Sequence, residues 1–185
     1  VLGWYKVWAL SRYLEKDLPH IKVEAIPKRI EETVDVNELK NADVIISAVG
    51  SPSMNLFLNR KFKNLNFKNI IYCWNEAASA GGHALAVNLD SACYECQFWK
   101  TDSFSLISSL NLVRPGQHLT KNLTGCAGVF TPFSYLDSSQ TAMITAKLCV
   151  EVIKGDAINK VVSWKNTNVP KVQLTKRYYE MNPLE

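Results

Sequence analysis

The segment Ala42–Val49 (ADVIISAV), followed at once by Gly50–Ser51–Pro52, decides the fold class. Its near-continuous apolar and β-branched run suits a strand buried on both faces, and such strands belong to parallel sheets covered by helices. The Gly-Ser-Pro step then opens a helix, with Ser51 suited to the N-cap and Pro52 to the first helical position, and Asn55–Arg60 continues it. Asn69–Trp74 (NIIYCW) is the next buried strand. Upstream, Ile21–Ile26 (IKVEAI) alternates as a half-buried strand does, and Asp35 can cap a short helix through Leu39. Further back, Trp4, Val7, Trp8, Leu10 and Leu14 fall at helical spacing, and Pro19 ends that segment.

Strand, helix, strand, helix, strand is the βαβ rhythm of an α/β fold: a Rossmann-like, mostly parallel sheet flanked by helices. Ligands of such sheets lie beyond the carboxyl ends of the strands. Here those ends are Gly50–Ser51 and Trp74–Glu76.

The second half has a different texture. Gly81–Gly82–His83 leads into a strand at Ala84–Asn88, and residues 100–125 are irregular and polar, with one helix predicted near Phe104–Leu112. Asp137–Ile153 is a long apolar helix on which Ala142, Thr145, Ala146, Cys149, Val150 and Ile153 share a face, and Gly155 closes it. Lys160–Trp164 and Pro170–Arg177 alternate and are expected to form a closing antiparallel pair. The domain expectation is a single domain over residues 1–185. Residues 1–80 supply the parallel α/β part, and residues 81–185 supply a cysteine loop, the long helix and the antiparallel C-terminal extension.

Composition narrows the function classes. The chain has 185 residues, 47% of them hydrophobic and 21% charged, which is globular rather than disordered. Its 21 Lys+Arg against 17 Asp+Glu give a net charge of +4, too little and too dispersed to argue for nucleic acid. The five tryptophans form no stacking stripe, and no apolar run approaches the length a membrane span requires. Five cysteines are an odd set with no secretory segment before them, which points to reduced thiols and a cytoplasmic setting.

Few residues carry chemistry on their own. Cys93–Tyr94–Glu95–Cys96 can be half of a zinc site, a redox pair or two packed thiols in a turn. Structural zinc needs four ligands, and neither a second CxxC nor knuckle spacing from Cys73, Cys126 or His83 is present. Cys126, in Thr124–Gly125–Cys126–Ala127–Gly128, is flanked by glycines ahead of a helix, a setting that leaves a thiol accessible and acidifies it; a buried inert cysteine is the alternative. Lys6 can meet an anion or simply be solvated, and Gly50–Ser51 offers backbone N–H groups to an anion at a helix start. His83 is either polar machinery at the strand ends or a hydrogen-bonded loop histidine.

Taken in order, the segments resemble the ThiF/MoeB-type adenylyltransferase family, the activating enzymes for ubiquitin and its prokaryotic relatives. The ordered set is Gly3–Trp4–Tyr5–Lys6–Val7 with Arg12–Tyr13–Leu14, Pro19–Val23, Ala42–Ala48, Gly81–Gly82–His83–Ala84, Cys93–Tyr94–Glu95–Cys96, and Gly125–Cys126–Ala127–Gly128–Val129 with Pro132. The Gly-Gly-His-Ala and Gly-Cys-Ala-Gly pieces look most like the activating domain of bacterial proteins that fuse activating and conjugating modules. The resemblance spans residues 1–155. It implies that ATP and Mg activate a protein C-terminal carboxylate, such as a ubiquitin-like tail, as an acyl-adenylate. Cys126 then takes the acyl group as a thioester. By the same resemblance Lys6 neutralises charge on the phosphates, Gly50 and Ser51 lie near the nucleotide, and a conjugating-type domain and a second copy of the chain are partners.

Three departures accompany the resemblance. The family's glycine-rich loop is expected upstream of Val1. The aspartate that usually helps hold magnesium is replaced by Gly50–Ser51, and the second CxxC of zinc-bearing members is missing, so no metal ligands are assigned. The expectation is the C-terminal part of an activating enzyme, inactive on its own; the alternative is a non-catalytic ThiF-like dimerisation or docking module. In either case Lys6, Gly50 and Cys126 are expected around one cleft.

Overall fold

The computed structural model describes residues 3–33, 39, 41–100, 106–122 and 129–182. The chain divides into two compact units, Val1–Leu39 and Lys40–Glu185.

The first unit carries helix α1 (Lys6–Asp17) and one further helical turn, α2 (Ile30–Thr33). The Leu18 N–H closes α1 on the Leu14 carbonyl, as expected ahead of Pro19. No residue of α1 is buried, and Trp4, Tyr5, Trp8, Leu10 and Tyr13 are all exposed. Residues 21–26 form no strand. An isolated alternating segment finds no neighbouring strand to satisfy its backbone; its ties are local, with Ile21 N–H donating to the Leu18 carbonyl (3.1 Å), Val23 N–H to Glu15 Oε1 (3.1 Å) and Lys28 N–H to the Ile26 carbonyl (2.9 Å). The helix predicted after Asp35 falls largely outside the described residues.

The second unit is built on a four-stranded sheet of order β1 (Ile45–Ser47), β2 (Asn69–Asn75), β3 (Gly81–Asn88) and β8 (Val161–Lys165). Strands β1 and β2 are parallel and are joined through helix α3 (Pro52–Asn64), so the predicted β–α–β step is present. The rest of the sheet corrects the mostly parallel expectation: β2–β3 and β3–β8 are both antiparallel. The physical reason is the link length. Only residues 76–80 separate β2 from β3, and a parallel return needs a crossover of a dozen residues or more. The fold is therefore mixed α/β with a mostly antiparallel sheet.

Alternate β2 residues face opposite layers. Ile71 packs with Ala84, Ala86 and Trp164 against Ile144 and Leu148 of helix α4 (Tyr135–Lys154). Tyr72, one step along, donates from its hydroxyl to Asn59 Oδ1 of α3 at 3.3 Å. Helix α4 starts on a capping box, in which Ser134 Oγ accepts the Asp137 N–H (3.1 Å) and the Ser134 N–H donates to Asp137 Oδ2 (2.7 Å). It ends at Gly155, whose φ of 79° is the left-handed closure expected from sequence.

The predicted face of α4 is corrected in part: Thr145 is buried and Cys149 packs against the core, as a packed face requires, but the other four residues do not. Ala142, Ala146, Val150 and Ile153 are exposed, and the buried residues are Asp137, Thr141, Ile144, Thr145 and Leu148. Two further corrections lie in the irregular region. In place of a helix near residues 104–112, Leu106–Ser108 is strand β5, paired antiparallel with β4 (Phe98–Lys100). Residues 170–177 do not pair with β8. Leu174 bridges Val113, Thr175 N–H donates to the Leu112 carbonyl at 2.9 Å, and the short helix α5 (Lys176–Glu180) follows. The small strands β6 (Lys121–Asn122) and β7 (Val129–Phe130) form a separate antiparallel pair.

Candidate functional site

The parallel pair β1–β2 brings two carboxyl ends to one edge of the sheet, and a cleft of about 820 Å³ opens there. Gly50 and Pro52 line it from the β1–α3 turn, Trp74, Asn75 and Glu76 from the end of β2, and Ser138, Thr141 and Ala142 from the first half of α4. This is the position the strand ends predicted.

Gly50 turns the chain from strand to helix with φ of +65°, and a Cβ there would meet only open space, so conformation rather than crowding selects glycine. Ser51 is the N-cap of α3; its Oγ accepts the Met54 N–H at 3.3 Å and lies 3.1 Å from Ser53 Oγ. Pro52 supplies no N–H. The turn therefore offers an anion fewer donors than its sequence promises.

The cleft floor is a connected polar layer. Asn75 Nδ2 donates to Ser138 Oγ (3.2 Å), and Asn75 Oδ1 accepts from Thr141 Oγ1 (2.5 Å), which in turn accepts from Trp164 Nε1 (2.9 Å). Beside it Glu76 is buried, with Oε1 accepting the Trp74 indole N–H (3.1 Å) and Oε2 the Leu112 N–H (3.1 Å). His83 is fully buried on β3, with Nδ1 2.8 Å from Ser163 Oγ and its ring against Trp74 at 4.9 Å. Its Nε2 lies 3.4 Å from Glu76 Oε1, within ion-pair reach but outside hydrogen-bonding geometry. Burial works to raise the Glu76 pKa, yet His83 and the two N–H donors outweigh it and hold the carboxyl below the ordinary glutamate range. The Gly81–Gly82 pair permits this packing, since a Cβ at Gly82 would collide with Thr141 Oγ1 and Trp164 Nε1.

The donor set decides what fits. Among the described residues lining the cleft there is no Lys or Arg, and the one carboxylate, Glu76, is already engaged. That lining does not suit a triphosphate or its magnesium, whose charge needs cations and free carboxylate oxygens. It suits an uncharged, hydrogen-bonding chain.

Of the three residues expected around one cleft, the structure places Gly50 there. Lys6 is the exposed first residue of α1 in the other unit. Cys126 lies outside the described residues. Ser51 works as a helix cap beside the cleft. Cys93 is the N-cap residue of a 3-10 turn (Tyr94–Gln97) that contains Cys96, with their sulfurs 3.4 Å apart, and among the described residues no group of three or more His, Cys, Asp or Glu is placed to hold a metal. His83 stands on a strand rather than a loop. The sequence places the strand end Trp74–Glu76 at the site but assigns no role to Asn75 or Glu76, and it passes over Thr141.

No protein-family model matches the chain, and no curated protein matches it.

Proposed function

We propose that this chain is part of an ATP-dependent, ThiF-like activating enzyme, which adenylates a protein C-terminal carboxylate and passes the acyl group to Cys126 as a thioester. In this reading the cleft at the carboxyl ends of β1 and β2 holds the tail of the protein being activated. The observation that carries it is the cleft's lining: hydrogen-bonding side chains, the aromatic rings of Trp74 and Phe133, and the already engaged Glu76 carboxylate, with no Lys or Arg among the described residues. Such a surface takes up an extended backbone by its amide groups, while the polar layer of Asn75, Ser138 and Thr141 keeps the floor rigid. The described lining of the cleft offers no seat for ATP and magnesium, so the activating step rests on the ordered resemblance alone. Lys6 is the counter-charge that the ordered resemblance assigns to the phosphates, and the β1–α3–β2 step is the part of a Rossmann-like sheet that supports the assignment.

The test is incubation of the full-length protein with ATP and a candidate tail protein. A thiol-sensitive adduct that disappears in Cys126→Ala, together with ATP–pyrophosphate exchange, is the expected result. Absence of both overturns the reading.

A second reading, a non-catalytic dimerisation module, is favoured by one feature. Leu136, Met143, Val150 and Ile153 recur along one exposed stripe of α4. It predicts a dimer in solution that Met143→Glu dissociates, with no adduct and no exchange.

A further inference from the structure

We propose that Cys93 and Cys96 are a dithiol–disulfide pair, which closes by exchange with a small-molecule disulfide and, once closed, locks the turn that holds Tyr94. Two accessible thiols are already brought together. Their sulfurs are 3.4 Å apart, Cys93 half-buried and Cys96 exposed. A disulfide is about 2.05 Å long, so closure asks for a further approach of roughly 1.4 Å.

The turn between them is anchored rather than loose. Arg60 of α3 grips Glu95 with Nε 3.0 Å from Oε1, and the Tyr94 N–H donates to Asn59 Oδ1 of α3 at 2.9 Å. The Cys96 N–H donates to the Cys93 carbonyl at 3.0 Å, which sets the two side chains on the same side of the turn. The Tyr94 ring is buried against Tyr72 (4.5 Å) and Phe98 (5.4 Å). It also lines a small cavity that shares Gly50, Pro52, Trp74 and Asn111 with the cleft. A covalent clasp across residues 93 and 96 therefore fixes one wall beside the site.

The exchange balances as follows. The Cys96 thiolate attacks one sulfur of glutathione disulfide; that S–S bond breaks, and one glutathione leaves as a thiolate. The Cys93 thiolate then attacks Cys96 Sγ in the mixed disulfide and expels the second glutathione. The protein loses two electrons and two protons, and one glutathione disulfide becomes two thiols. The hydrogen bond to Cys93 pushes the Cys96 thiol above its ordinary range, with Lys63 acting in the opposite sense. The first attack accordingly speeds up as pH rises and the thiolate fraction grows.

The experiment uses the full chain carrying Cys126→Ser, equilibrated with glutathione disulfide, quenched in acid, alkylated and mapped by mass. The expected result is loss of two hydrogens, with Cys93 and Cys96 joined in one peptide and both protected from alkylation until dithiothreitol is added. Cys93→Ser should stop the reaction at one glutathione on Cys96. Amide exchange at residues 94–97 should slow on oxidation. A lasting glutathione adduct on the unsubstituted pair, a disulfide between two molecules, or two alkylatable thiols in excess glutathione disulfide each overturn the pair. Unchanged amide exchange overturns the lock.

Discussion

Helices α1 and α4 are both marked by apolar side chains at helical spacing, yet α4 buries five residues and α1 buries none. Periodicity locates both helices well: Trp4–Leu14 and Asp137–Ile153 foreshadow Lys6–Asp17 and Tyr135–Lys154. It does not say which face will pack. On α4 the buried face includes two threonines, because the sheet supplies partners for them. Thr141 Oγ1 bonds Asn75 and Trp164, and Thr145 Oγ1 bonds the Thr141 carbonyl at 2.7 Å. A polar group whose hydrogen bonds are met can be buried at little cost, so the apolar stripe is left outside. On α1 there is amphipathic sequence but no buried face. What separates the two helices is the surface each meets.

The sharpest way to break this contrast is to empty the α4–sheet layer. Trp164 and Leu148 are almost wholly buried in the same cluster. Trp164→Ala should cost about 3–5 kcal/mol and Leu148→Ala about 2–5 kcal/mol, as cavity-forming substitutions do. Trp164→Ala also strips a donor from Thr141. Urea denaturation followed by circular dichroism measures both. A loss below about 1 kcal/mol for either would mean that α4 does not pack on the sheet.

The polar end of the same layer gives the next effect. Glu76 has a folded-state pKa lowered below its unfolded value. Its contribution is therefore fully present above the unfolded glutamate pKa of about 4.3 and is lost as pH falls through the lower folded value. The melting temperature of the native chain should fall steeply below about pH 4. Glu76→Gln keeps the shape but supplies one acceptor oxygen for two donors, the part-buried Trp74 Nε1 and the buried Leu112 N. It should cost about 1–3 kcal/mol at pH 7 and flatten the acid limb. A melting temperature that does not depend on residue 76 between pH 3 and pH 7 would remove the cluster from the stability account. Smaller again is Ser134→Ala, which removes the cap from α4 and should cost about 1 kcal/mol in the same denaturation assay.

How much of this was legible beforehand follows from which interactions are local. The cleft's position was, because a β-branched run ending in Gly50–Ser51–Pro52 and a second ending in Trp74–Glu76 define strand ends by neighbouring residues alone. The antiparallel return of β3 was legible in principle from the five-residue spacing of residues 76–80, although the αβ rhythm upstream suggested parallel continuation. The floor of the site was not. Asn75 is satisfied by residues more than sixty positions away, Ser138 and Thr141, and His83 by Ser163 eighty positions on. Local pattern carries no information about such partners. The face of α4 was misjudged for the same reason, since only the fold reveals that Thr141 has Asn75 beside it.

The smallest expected effect sharpens the comparison from the α1 side. Trp8 is 43% exposed, and it stacks edge-on at 4.9 Å against Tyr5, which is itself 59% exposed. Trp8→Ala should change global stability by no more than about 0.5 kcal/mol, the range of surface substitutions. A 12-residue helix with no buried face draws little support beyond its own turns, and isolated helices of that length are marginal in water. Amide hydrogen exchange should therefore be far faster along α1 than along α4, where opening requires disruption of the sheet layer. Protection of α1 equal to that of α4, or a Trp8→Ala cost matching Leu148→Ala, would show that α1 packs on a surface in solution. The difference between the two helices would then lie in assembly rather than in sequence.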